Sequence, residues 1–125
     1  MNTSILFLVL ITTFFQVLHC FEEIGMDAYE LVPKPGNKRG YYLRAASVLV
    51  GLNFLIAFML LFDIKLAYYF AFYTVVISVG NAIIHILGYL KTKSYRATLG
   101  AGVFSGIPLG LSGIALFLYL IKTLV

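Results

Sequence analysis

The residues able to do chemistry gather in one stretch, Gln16-Val17-Leu18-His19-Cys20-Phe21-Glu22-Glu23, where an unbroken apolar run ends in an imidazole and two adjacent carboxylates. On a helix, groups three and four residues apart are surface neighbours, so Glu22 and Glu23 both stand beside His19. A single turn thus offers a ligand, a base and an acid. Two carboxylates side by side at the edge of hydrocarbon are costly to ionise together, which requires a cation, a basic side chain or a polar partner. A plain helix end dipping into water explains them less well, because acids near a helix C-terminus oppose the macrodipole.

Asn81 and His85 form a second pair, four residues apart in a later apolar run, and put an amide and the remaining histidine on one helical face. Two imidazoles with a carboxylate match the ligand sets of catalytic zinc sites and of non-haem iron sites. The expected ligands of a divalent zinc or iron are therefore His19, Glu22, Glu23 and His85. Glu22, Glu23 and Asn81 are the expected catalytic groups, one glutamate activating water and the amide polarising a carbonyl or orienting a ligand.

The elements that must position these residues are membrane helices. With 125 residues, 62% hydrophobic and 11% charged, and a mean hydropathy of +0.99, the chain reads as one domain over 1–125 embedded in a bilayer. The expected fold is an all-α integral membrane protein, a four-transmembrane-helix bundle with helices over about 3–23, 43–62, 66–90 and 98–122. The first run is read as a retained helix and not a cleaved signal peptide, since Met1 to Ser4 carry no basic residue and His19 is a poor fit to a small-residue cleavage site. Pro33-Lys34-Pro35-Gly36-Asn37 must be a surface loop, and Asp63-Ile64-Lys65 suffices only for a tight connection between antiparallel neighbours. Gly102, Gly106 and Gly110 recur at four-residue spacing, a stripe that lets another helix approach closely and could join two copies into a homo-oligomer. The lone Cys20 excludes an internal disulfide and a cysteine-rich metal site.

The formal net charge of +4 does not point to nucleic acid, because the basic residues sit in short connections between apolar runs. Lys34, Lys38, Arg39, Arg44, Lys91, Lys93 and Arg96 follow the first and third helices, whereas only Lys65 and Lys122 fall on the other side. The positive-inside rule then puts both termini outside the cytoplasm and the polar cluster at the cytoplasmic end. The expected setting is the plasma membrane of a prokaryote, with the lipid bilayer as partner and a lipidic or small-molecule substrate.

His19-Cys20-Phe21-Glu22-Glu23 resembles the motif that names the HXXEE-domain family of small multi-pass membrane proteins, and Asn81-Ala82-Ile83-Ile84-His85 is similar to an asparagine-histidine element of a later helix in that family. Helix number, loop lengths and motif order agree over most of the chain. Where that family has a Tyr-x-Pro-Gly-like lead into the last helix, this chain has Tyr95-Arg96-Ala97-Thr98. The resemblance implies a shared His/Glu/Asn site but names no reaction. The favoured reading is a membrane-embedded metal-dependent or acid-base enzyme, hydrolase-like or oxidase-like. The alternatives are a small oligomeric proton-coupled transporter and a packing or regulatory subunit.

Overall fold

Asn2 opens the first helix by accepting a hydrogen bond from the Ile5 amide at 3.2 Å, which satisfies a donor that has no partner inside the helix. The computed structural model describes residues 2–33 and 35–124; Lys34, counted above among the basic connections, lies outside them. Helix α1 covers Thr3–Gly25 and closes with the Met26 amide on the Glu22 carbonyl at 2.9 Å. A short 3-10 turn, Ala28–Leu31, follows.

Helix α2 covers Lys38–Leu61 and begins earlier than about Leu43, because Asn37 caps it by accepting from the Gly40 amide at 2.8 Å. The Lys38 and Arg39 charges thus ride on its first turn. Helix α3, Leu66–Thr92, comes after a tight turn and ends where Lys93 takes a left-handed conformation, φ 52°. Helix α4 covers Val103–Leu124 and starts later than about Thr98, since the residues before it form turns that finish at Gly102 with φ +90°. Gly102 therefore stands outside the helical stripe.

Helix α4 packs against both α3 and α1, while α2 closes the other side of the bundle and α1 touches α3 least. The glycines set the α3–α4 approach: a Cβ on Gly110 would lie 2.5 Å from Ala82 Cβ, and one on Gly106 would lie 3.7 Å from Ala82 Cα. Gly106, Gly110 and Gly113 are all buried. The stripe is filled within the chain and offers a second copy no free glycine face.

The bundle interior holds an apolar cluster that includes Ile5, Val9, Leu60, Ala67, Ala71, Leu116 and Leu120. Buried polar side chains include Thr12, Thr13, Gln16, Ser78 and Ser112, and a pair that links α2 to α3, the Thr74 hydroxyl donating to Asn53 Oδ1 at 2.8 Å. The outer surface carries the large hydrophobic side chains, among them Phe7, Phe14, Phe54, Val76, Leu111 and Leu118. A surface of that kind is stable only against hydrocarbon, and all four helices are long and apolar enough to cross a bilayer. The chain is a four-helix, multi-pass membrane protein.

Candidate metal centre

Glu22 and Glu23 diverge although they are adjacent. At i+3 from His19, Glu22 reaches the start of α4 and accepts from the amides of Phe104 at 3.2 Å and Ser105 at 2.7 Å, and from the Ser105 hydroxyl. The turns before α4 leave those amides without partners in the helix, and an anion there also meets the positive end of the dipole. Glu22 is thus turned away from the two histidines, which separates it from the ligand set expected for it.

At i+4 from His19, Glu23 turns to the bundle interior. Its Oε2 lies 3.6 Å from His19 Nε2, and its Oε1 lies 3.3 Å from His85 Nε2. Tyr42 of α2 donates its phenol to Glu23 Oε2. The two imidazoles meet edge to face with centroids 4.7 Å apart, and His19 is fully buried. One ligand atom from each of His19, Glu23 and His85 can be chosen so that all lie within 4.8 Å of one another.

The hydrogen bonds assign the imidazole protons. Ser105 gives its hydroxyl proton to Glu22, so its oxygen must accept from His19 Nδ1 at 3.2 Å. Likewise the Leu99 carbonyl can only accept, so His85 Nδ1 donates to it at 2.8 Å. In the neutral imidazoles each Nε2 is left with a bare lone pair. Both lone pairs face the Glu23 carboxylate, and His19 Nε2 is buried without any hydrogen-bond partner among the described residues. Three electron-pair donors facing one another repel unless a proton or a metal cation sits among them. Outward Nδ1–H bonds to an oxygen are also how metal-bound histidines are held.

Asn81 does not join this trio. It lines a cavity of about 230 Å³ between α1, α2 and α3, together with Gln16, Cys20, Glu23 and Tyr42. Glu23 is the residue common to the trio and the cavity.

A protein family described as being of unknown function with an HXXEE motif matches residues 5–112. The chain belongs to the HXXEE family. Neither the curated proteins nor the solved structures hold a match. In the motif as it stands here, the first glutamate caps α4 and the second faces the histidines.

Ser105, Tyr42 and the Leu99 carbonyl support the site without any signal in the sequence of that role. Ser105 looks like one more small residue in a glycine-rich helix, and Tyr42 like an interfacial ring. Only the close packing of α4 onto α1 brings Ser105 within reach of His19.

Proposed function

We propose that the chain is a membrane-embedded metal-dependent enzyme in which His19 Nε2, His85 Nε2 and the Glu23 carboxylate hold one divalent zinc or iron. A single observation carries this reading: ligand atoms of His19, Glu23 and His85 converge within 4.8 Å of one another, while each imidazole Nδ1 is engaged by an oxygen outside the trio. Zinc bonds of about 2.0–2.1 Å put tetrahedral ligand atoms about 3.3 Å apart, close to the two carboxylate–imidazole separations. A proton shared by Glu23 and His85 would satisfy that pair alone and leave His19 Nε2 orphaned, which favours a metal over a simple ion pair.

Such a metal would act as a Lewis acid or lower the pKa of a bound water. Glu23 is its ligand, Tyr42 orients Glu23, and the Asn81 amide is placed to hold a carbonyl in the adjoining cavity. Glu22 acts indirectly, through Ser105 and His19. Elemental analysis of the detergent-purified protein tests the reading. It should find one zinc or iron per chain, lost in His19→Ala and His85→Ala. A wild-type protein that neither retains a metal nor takes one up on titration would end it.

The same reading places the centre at the cytoplasmic face of a plasma membrane, with both termini outside. It rests on the basic residues Lys38, Arg39, Arg44, Lys91, Lys93 and Arg96 gathered at one end of the bundle, against Lys65 and Lys122 at the other. Cysteines introduced near Lys38 and Lys93 should be protected from an impermeant thiol reagent in intact cells. Labelling of both would reverse the orientation.

A further inference from the structure

The cavity beside Glu23 has a neighbour with which it shares part of its wall. A groove of about 380 Å³ between α1 and α2 is walled by Val17, Phe21, Val50 and Phe54, and shares Cys20 and Ala46 with the polar cavity. Phe21 and Phe54 are among the most exposed apolar residues, so the groove faces lipid. Its Ser47 hydroxyl is already given to the Leu43 carbonyl at 2.8 Å, and the groove has nothing else to offer a polar ligand except at its inner end. That inner end is different. There Gln16, Glu23, Tyr42 and Asn81 surround the space, and the Asn81 amide has no hydrogen bond to a described residue.

We infer that these two adjoining spaces together take a single-chain amphiphile from the bilayer, its hydrocarbon tail in the α1–α2 groove and a carbonyl-bearing head group beside Asn81 and Glu23. The inference rests on the metal reading for what happens to the head group, but not for binding. Lateral loading follows from the geometry. Helix α4 covers the histidines, and the cavity is lined by α1, α2 and α3 alone. The tail exchanges lipid hydrocarbon for an apolar groove and gains mainly packing contacts, so the drive comes from the head, which accepts the N–H groups of the unpartnered Asn81 amide. Ala46 lines both spaces, so a larger side chain there takes room from each.

The test uses the full chain in phosphatidylcholine vesicles with a long-chain fatty acid methyl ester carrying a diazirine near its carbonyl. Photolysis should label peptides spanning Gln16–Ile24 and Tyr42–Phe54, and the unlabelled ester of the same length should compete. Ala46→Phe should reduce this labelling about tenfold or more, the effect of overpacking by roughly 1–3 kcal/mol. Val48→Phe, on the exposed face of the same helix, should not. Uncompeted labelling spread over lipid-facing residues such as Phe7, Ile83 and Leu118 would overturn the inference, as would full labelling of Ala46→Phe. Metal content is measured on the same sample. Competed labelling without metal would sustain the amphiphile site while removing the metal centre.

Discussion

Gly102 stands directly against His19: a Cβ built on Gly102 would lie 2.6 Å from His19 Cε1 and 3.0 Å from Glu23 Cγ. Two independent constraints meet at this position, the absence of space and a φ of +90° that L side chains rarely adopt. Gly102→Ala should therefore displace the imidazole and strain the lead into α4 by about 1–2 kcal/mol. Metal affinity should fall by about ten- to a hundredfold, the usual loss when a ligand's support is disturbed, and isothermal titration with zinc measures it. Unchanged affinity would mean that His19 does not hold the ion.

The divergence of Glu22 and Glu23 predicts different phenotypes for two neighbouring carboxylates. Glu23→Ala should abolish stoichiometric metal binding. Glu22→Ala should keep one metal per chain with about tenfold weaker affinity, because His19 loses the Ser105–Glu22 chain that fixes its tautomer. It should also lower thermal stability by about 1 kcal/mol through the lost α4 cap. Equal and complete loss of metal in both variants would return Glu22 to the ligand set.

Apolar runs of spanning length made the helices legible in the sequence, and the two histidines with their carboxylate neighbours marked the site. The roles of Glu22 and Glu23 were not legible, because positions i+3 and i+4 both neighbour His19 and only the packed location of α4 separates them. The start of α4 was obscured for a related reason: Thr98 to Gly102 is apolar enough to read as helix, yet the turn is imposed by contacts to other elements. Leu99 gives its carbonyl to His85, and the Ala97 amide donates to the Met26 carbonyl at 2.6 Å. The glycine stripe gave the right physics and left its partner open. Spacing says that backbones approach, and Ala82 of α3 is what they approach.

Asn53 and Thr74 fasten α2 to α3 inside the apolar interior, each only 2% exposed. Thr74→Val leaves the Asn53 amide with its acceptor unused and should cost about 1 kcal/mol, the scale of such bonds between membrane helices. The double variant Asn53→Leu, Thr74→Val should recover part of that loss, since no polar group is then stranded. Thermal unfolding in detergent of the two single variants and the double closes the cycle. Additive losses would show that the pair is not coupled.

Asp27 and Arg96 join the connection after α1 to the one before α4. Arg96 Nε lies 2.7 Å from Asp27 Oδ2, and the Tyr29 phenol donates to Asp27 Oδ1 at 2.9 Å. The Tyr29 hydrogen bond and then Arg96 hold the Asp27 carboxyl below its ordinary value. A lowered pKa means that the folded state favours the carboxylate, so the contribution is complete above the ordinary aspartate pKa of about 3.9 and fades as pH falls through the lower folded value. Protection of the Ala97 amide from hydrogen exchange, corrected for its intrinsic rate, should thus be level from about pH 8 to pH 5 and decline below about pH 4. Asp27→Asn tolerates the left-handed backbone at this position, φ 58°, yet should loosen the clamp at neutral pH and speed tryptic cleavage after Lys93 and Arg96. High salt should weaken the wild-type clamp in the same direction, because Arg96 is largely exposed. Loss of protection already near pH 6 would show that the Asp27 carboxylate does not hold the clamp.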